Sequence, residues 1–397
     1  MQLRKMIGGV LIVAGTSIGG GMLGLPIVTA PGGIVYATIL LLLSWALMTF
    51  AAFLTLEVNL CFPKNSNMIS MMAKTLGPSG TIIGWTVYIL FLYALLAAYI
   101  SGGQDLLRGL LALAGIHIPI WLSGAIFVVV FGAIVMKGVH WVDKGNRLFM
   151  TVKLGALFLL IIFAAFHLSN KNYFGHWRAL APAVTVAITS FGFSIVVPSL
   201  RNYFDSDVVT LRKVILYGSL LPLVCYIIWV SVILSTIPLH GKGGLLSIMH
   251  SAQPLTALLH SLNTVLHSRI IEYLSRIFTS VCVLTAFLCV SLGLSDYVAD
   301  GVGKEKKGTG FWIIAVITFV PPFACVIFYP RAFIYFLSLA GLLCVVLQGF
   351  LPALMSWRVR YQQKYDLSYR VFGGKGLIVL AMLGAIFVAV LAVQQLS

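Results

Sequence analysis

"GTSIGGGMLG", Gly15 to Gly24, puts five glycines in ten residues inside an otherwise apolar segment, and Pro26 follows two residues later. Glycine and proline are the poorest helix formers. The apolar segment at 6–29 therefore carries its weakest helical sequence near its centre. A second stretch is built the same way. "TSFGFSIVVPS", Thr189 to Ser199, interrupts another apolar run. Gly21 precedes Pro26 by five residues, and Gly192 precedes Pro198 by six.

Composition identifies the medium around these breaks. The 397 residues are 60% hydrophobic and 9% charged, with a mean hydropathy of +1.04. A soluble domain carries roughly 25% charged residues. A chain this apolar cannot hide its surface in a water-soluble fold, which predicts an all-α polytopic membrane protein. Helical crossings need about 20 apolar residues each. Eleven are expected, at 6–29, 34–58, 80–104, 118–137, 148–168, 180–200, 214–237, 271–298, 311–329, 333–356 and 376–395. The first run is too long for the apolar core of a signal peptide.

The broken segments are the first and sixth of these spans, so each opens a set of five. Five helices per set turn the second set upside down relative to the first, a 5+5 inverted repeat. The expected organisation is one transmembrane transporter domain over 1–397. Repeat one covers about 6–168, repeat two about 180–356, and 376–395 is an extra helix.

The formal net charge is +16. The positive residues are spread over short loops, which reads as a topology signal and not as a nucleic-acid footprint. Eighteen Lys and Arg fall on the N-terminal side, among them Lys5, Lys64, Lys144, Arg147 and Lys364. Seven fall on the other, among them Arg108, Lys171 and Arg331. This bias predicts a cytoplasmic N-terminus and a periplasmic C-terminus. The longest outer segment, 239–270, carries His240, His250, His260 and His267 at a spacing that matches no metal site, so it is expected to be a solvated loop. The six cysteines form no CxxC and read as small packing residues. No metal and no cofactor is expected apart from a proton as coupling ion.

Paired interruptions at corresponding positions point to a transport site. An unwound stretch frees backbone N–H and C=O groups at membrane depth, where they are tolerated only inside protein or against a wet cavity. Glycine lets the backbone leave helical dihedrals and lets a ligand approach closely. A half-helix N-terminus offers N–H groups to a carboxylate, and a half-helix C-terminus offers carbonyls to an ammonium. One site with both suits an amino acid. The N–H groups at Gly19, Gly20 and Gly21 and the hydroxyls of Thr16 or Ser17 are the candidate carboxylate donors. Carbonyls near Gly15, Thr16, Ser190 and Phe191 are candidates for the ammonium. Phe191 and Phe193 flank Gly192, and span 3 offers Tyr93 and Tyr99, so an aromatic side chain would find apolar walls. The competing interpretation is close helix packing, since Gly20 and Gly24 form GxxxG and many aromatics simply pack.

Ionisable residues inside spans are functional candidates. Lys153 lies in the fifth span. Its ammonium either snorkels to the inner interface or sits beside the first break, where a sodium-coupled carrier would hold its ion. Burial disfavours a charged amine, so Lys153 is a candidate protonation switch. Glu57, at the inner end of span 2, is a second proton-coupling candidate, or a structural partner of a loop lysine. Ser291 and Ser295 in span 8 are not an adjacent hydroxyl pair, which counts against a sodium site.

These residues bring a resemblance into view. "IVAGTSIGGGMLGLP" (Ile12–Pro26), "LEV" (Leu56–Val58), "YALLAAYISGG" (Tyr93–Gly103), "TSFGF" (Thr189–Phe193), "LGLSDYVAD" (Leu292–Asp300) and "ITFVPPFACVIFYPRAF" (Ile317–Phe333) resemble the hydroxy and aromatic amino acid permeases. These belong to the amino acid–polyamine–organocation group, and the chain looks most like the tyrosine-specific permeases. The resemblance implies a bacterial inner-membrane carrier importing an aromatic amino acid with a proton, the substrate backbone held by the two breaks, and a lysine at the position of Lys153. Relatives often carry a histidine after "FGF", and this chain has Ser194.

The function expected is import of L-tyrosine by proton symport through alternating access. Tryptophan, phenylalanine or serine, and sodium in place of the proton, are the alternatives. A channel would need rings of charge or a polar pore. An intramembrane enzyme would need a catalytic set such as Ser–His or HExxH, and an ATP-driven pump a Walker motif. None is present, so no enzymatic activity is expected. The expected partners are the substrate and the lipid bilayer, with no nucleic acid.

Overall fold

Backbone groups in hydrocarbon must pair within the chain, which favours helices. The computed structural model describes residues 2–64, 66–113, 115–137, 149, 151–160, 162, 172–266, 269–329, 332–363, 365 and 368–396, and no strand occurs among them. The expectations for both ends of the fifth span, Lys144, Arg147, Lys171, His267, Arg331 and Lys364 lie outside the described residues.

The first half contains α1 (Gln2–Ser17), α2 (Gly21–Thr29), α3 (Gly33–Leu60), α4 (Met68–Leu113), α5 (Ile120–Met136) and α6 (Thr151–Leu160). The second contains α7 (Ala181–Ser190), α8 (Val197–Tyr203), α9 (Val208–Thr236), α10 (Leu245–Met249), α11 (Pro254–Leu266), α12 (Arg269–Val302), α13 (Gly308–Phe328), α14 (Ala332–Cys344), α15 (Leu351–Trp357) and α16 (Gly374–Leu396). Eight helical stretches are long and apolar enough to cross a bilayer, and the first, Gly21–Leu60, holds both α2 and α3. A count of eleven crossings requires joining α1 to α2 and α7 to α8 as broken spans and including the shorter α5 and α6.

Both expected breaks are present. Helix stops at Ser17 and resumes at Gly21, and it stops at Ser190, passes through a 3-10 turn at Ser194–Val196 and resumes at Val197. The glycines of the first break do not serve the purpose expected of them. Positive φ occurs at Gly33, Gly77 and seven other glycines but at none between Gly15 and Gly24. Close approach is what these positions require.

Small residues set the helix crossings, as they do where lipid supplies no hydrophobic drive. A Cβ on Gly341 of α14 would stand 2.2 Å from Thr185 O of α7, and one on Gly218 of α9 would stand 2.6 Å from Val13 of α1. Buried hydroxyls bond the carbonyl one turn back, as in Thr29 to Leu25 (2.7 Å) and Thr55 to Ala51 (2.9 Å). Large apolar side chains on α5, α13 and α16 face outward, including Val129, Trp312 and Leu380.

Two features depart from the sequence reading. Segment 239–270 is not a solvated loop. It folds into α10 and α11, and α11 buries Leu255, Leu258, Leu259, Leu262 and Leu266, one helical stripe. His240, His250 and His260 remain exposed. Span 10 is not one α-helix either: a π-helical turn occupies Val345–Phe350, and a second follows the span at Arg358–Gln362. Pro352 explains the first, because it has no N–H for the carbonyl of Gln348 four residues back and its ring crowds that carbonyl. The ladder widens instead, and Leu351 N–H donates to Val346 O five residues back.

Segments assigned to the same side meet one another. Asp205 lies 4.0 Å from Lys5 and 3.6 Å from Lys64, and Arg358 donates to Thr75 O at 3.3 Å. On the opposite side Thr256 N–H donates to Asp105 Oδ2 at 3.2 Å.

Candidate functional site

The two breaks lie against each other. A Cβ on Gly21, at the start of α2, would stand 2.8 Å from Ser190 Oγ at the end of α7. Each break turns by the same device, an N–H bonded to the carbonyl two residues back: Gly19 to Ser17 at 2.9 Å and Phe193 to Phe191 at 2.9 Å. The N–H groups of Gly20 and Gly21 have no hydrogen-bond partner among the described residues. They open α2, where a helix attracts anions.

The carbonyl ends converge on one side chain. Tyr226 of α9, fully buried, points its hydroxyl at Ser17 O (2.6 Å) and Ser190 O (3.0 Å). Its ring meets Phe191 edge-on at 5.2 Å. A hydroxyl has one hydrogen to donate, so it cannot satisfy both carbonyls fully at once. Two carbonyls facing one donor keep accepting capacity that an ammonium, with three hydrogens, could use.

Lys153 of α6 is 2% exposed, and its Nζ donates to the carbonyl of Ile18 inside the first break. No carboxylate pairs with it among the described residues. That geometry excludes snorkelling in this conformation, since the amine points into the protein core and not to an interface. Gly19 packs on Ala286 of α12, where its Cβ would stand 3.6 Å away. Ser291 and Ser295 lie further along α12, and their hydroxyls bond Phe287 O (2.5 Å) and Leu292 O (2.8 Å) of their own helix.

Tyr99 of α4 lies directly on Gly20, whose Cβ would stand 2.5 Å from Tyr99 Cε1. Of the four expected aromatics, Tyr99 and Phe191 are the ones at the breaks, where Tyr226 joins them. The other expected aromatics are not brought there. Tyr93 donates to Ile317 O of α13 at 2.7 Å. Phe193 is fully buried in a separate cluster with Val13, Leu56, Val197 and Leu211. Thr16 is exposed and its hydroxyl bonds Ile12 O (2.8 Å) within α1. Ser17 Oγ is buried without a partner and stays available as a donor. Ser190 Oγ donates to Val186 O at 2.8 Å, so its hydrogen is committed within α7. Gly15 lies in the last turn of α1, two residues before its end at Ser17, and Gly192 sits in the second break against Cys344.

Glu57 is far from this centre in chemistry as well as in sequence. It is fully buried, and its partner is Arg360, not a loop lysine. Arg360 Nε donates to Oε1 at 2.5 Å and its second nitrogen to Oε2. Ser356 Oγ donates to Oε1 at 3.0 Å and Val371 N–H to Oε2 at 2.7 Å. A carboxylate that accepts four hydrogen bonds, two of them from one guanidinium, is a structural clamp joining α3 to the segment that follows span 10.

Two residues at the breaks escaped the sequence reading. Tyr226 carries no local signal in an apolar span, although a hydroxyl at span depth needs a partner. Gln348, fully buried in the first π turn, accepts from Ser194 Oγ at 3.0 Å, and its Nε2 has no partner. An uncharged amide in the middle of an apolar run was the available signal. An unpaired buried polar group costs about 1–3 kcal/mol.

Among solved structures, the fold is similar to that of a manganese transporter from Eremococcus coleocola. The TM-score is 0.61 at 14% identity, covering 98% of this chain and 86% of that one. Among curated proteins, the chain is 34% identical to tyrosine-specific transport system 1 of Haemophilus influenzae, covering 98% of this chain and 96% of the relative. It is 28% identical to the tryptophan-specific transport protein of Shigella flexneri over 95% and 92% of the two chains. The tryptophan/tyrosine permease family model matches residues 2–392. With its apolar helices and its paired breaks, this multi-pass membrane protein belongs to the tryptophan/tyrosine permease family.

Proposed function

We propose that the chain imports L-tyrosine together with a proton, by alternating access, across the cytoplasmic membrane of a bacterium, and that it catalyses no chemical reaction. The observation that carries this reading is the convergence of the two breaks. The free N–H groups of Gly20 and Gly21 suit a carboxylate, the carbonyls of Ser17 and Ser190 suit an ammonium, and Tyr99 and Phe191 suit an aromatic ring. The name of the Haemophilus influenzae relative favours tyrosine, and that of the Shigella flexneri relative makes tryptophan the alternative.

Lys153 supports a proton over sodium. Its amine already occupies a carbonyl of the first break, and a cation there is exchangeable by protonation without a metal. The two repeats would rock about the breaks, with the N-terminus cytoplasmic and the C-terminus periplasmic as the charge bias favours. The repeats would run over about 6–168 and 180–356.

The test is uptake of labelled L-tyrosine into sodium-free proteoliposomes. Accumulation above equilibrium only under an inward proton gradient is the expected result. Accumulation that requires sodium, or that ignores both gradients, would overturn the coupling. Accumulation of tryptophan but not tyrosine would overturn the substrate.

A further inference from the structure

The second break has a polar neighbour that the backbone site does not use. α14 runs along α7 at van der Waals distance, through Gly341 against Thr185 and a hydrogen bond from Thr189 Oγ1 to Leu337 O at 3.2 Å. One turn on, Cys344 Sγ would stand 2.8 Å from a Cβ on Gly192. One further turn brings Gln348, whose Nε2 would stand 3.4 Å from that same position. Ser194 Oγ donates to Gln348 Oε1 at 3.0 Å, which holds the carboxamide and leaves its NH2 unpaired. Because Oε1 accepts the serine hydrogen, the free end of the amide is its donor end. The π turn that presents Gln348 is a widening of the kind that recurs at functional sites.

We propose that Gln348, held in place by Ser194, is the residue that reads the phenolic hydroxyl of the substrate. This rests on the aromatic amino acid import proposed above. A phenol oxygen accepts and donates, an indole nitrogen only donates, and a phenyl ring does neither. The free NH2 of Gln348 gives a phenol oxygen the donor it can accept from. The oxygen of Ser194, whose own hydrogen is committed to Gln348, keeps lone pairs for the phenol hydrogen. An indole N–H can use the Ser194 oxygen but offers the NH2 of Gln348 no acceptor, so tryptophan makes one of the two bonds that a phenol makes. Phenylalanine leaves the amide unpaired in a closed site. Gln348 therefore selects tyrosine over both.

The experiment compares binding of L-tyrosine, L-phenylalanine and L-tryptophan to the full-length protein in proteoliposomes, for wild type, Gln348→Met and Ser194→Ala. Gln348→Met keeps chain length and apolar volume but has no donor. It is expected to weaken tyrosine about tenfold to a hundredfold and to leave phenylalanine within about twofold of wild type. Ser194→Ala frees the amide and is expected to lower the tyrosine-to-phenylalanine ratio several-fold. An unchanged ratio in Gln348→Met overturns the role of Gln348 while leaving the import reading intact. If Gln348→Met does not fold, an unchanged ratio in Ser194→Ala overturns it equally. A wild-type protein that binds none of the three overturns both proposals together.

Discussion

Gly20→Ala tests the closest contact at the breaks. The backbone at Gly20 is already helical, with φ −60° and ψ −26°. On backbone grounds alone alanine is better there than glycine, by about 1 kcal/mol. The side chain reverses that sign. The new methyl would stand 2.5 Å from Tyr99 Cε1 and 2.8 Å from Cδ1, about 1 Å inside ordinary carbon contact. Tyr99 is buried in α4 and cannot swing away freely, so either the ring or the break must move. Overpacking of this kind costs about 1–3 kcal/mol. The loss should appear in both thermal unfolding of the purified protein and tyrosine binding, because the ring and the Gly20 N–H belong to the same site. In a Tyr99→Leu background, with the ring gone, the penalty of Gly20→Ala should fall below about 1 kcal/mol, a non-additivity expected only of residues in contact. A Gly20→Ala protein that melts and binds tyrosine like wild type would refute the assignment of Gly20 and Tyr99 to one site, as would strict additivity.

Lys153→Ala should leave a folded protein that exchanges tyrosine down its gradient but no longer accumulates it under a proton gradient; unchanged gradient-driven accumulation would remove Lys153 from the coupling. Glu57→Gln should lower stability by about 3–5 kcal/mol by stranding the buried Arg360 guanidinium, read as a fall in unfolding temperature, whereas Glu57→Leu with Arg360→Met should recover most of it. Asp207 accepts from the Thr210 hydroxyl at 2.6 Å and from the N–H groups of Val209 and Thr210, which caps α9, so Asp207→Ala should cost about 0.5–2 kcal/mol and speed amide exchange in the first turn of α9. The Thr210 hydroxyl and N–H hold the Asp207 carboxyl below its ordinary value. The capping is therefore present above about pH 4, the ordinary carboxylate value, and is lost as pH falls through the lowered folded value.

Much of the fold was legible because bilayer thickness forces a long apolar run for each crossing, and because five glycines in a row of ten have few uses inside such a run. The breaks at Ser17–Gly21 and Ser190–Ser194 came directly from that pattern. The role of the glycines did not, since close approach by Tyr99 or Ser190 depends on helices distant in sequence. Lys153 was found because a lone amine in a span is conspicuous, although only the packed structure puts it on Ile18 O. Glu57 was conspicuous for the same reason, but the clamp with Arg360 joins residues three hundred positions apart and leaves no local trace. Phe193 and Phe191 look alike in "SFGF", yet the turn at Gly192 sends one to the break and the other to a separate cluster. Tyr226 stayed hidden because a tyrosine in an aromatic-rich span has no pattern to mark it. The π turn at Gln348 was readable in principle, since Pro352 sits four residues after it.

The central claim is that the two breaks make one amino acid site, and an experimental structure with L-tyrosine bound tests it most directly. The ligand carboxylate is expected on the N–H groups of Gly20 and Gly21. Its ammonium should displace Tyr226 from the carbonyls of Ser17 and Ser190, and its ring should lie beside Tyr99 and Phe191. Tyrosine bound elsewhere, with the Tyr226 hydroxyl still on both carbonyls, would contradict the account.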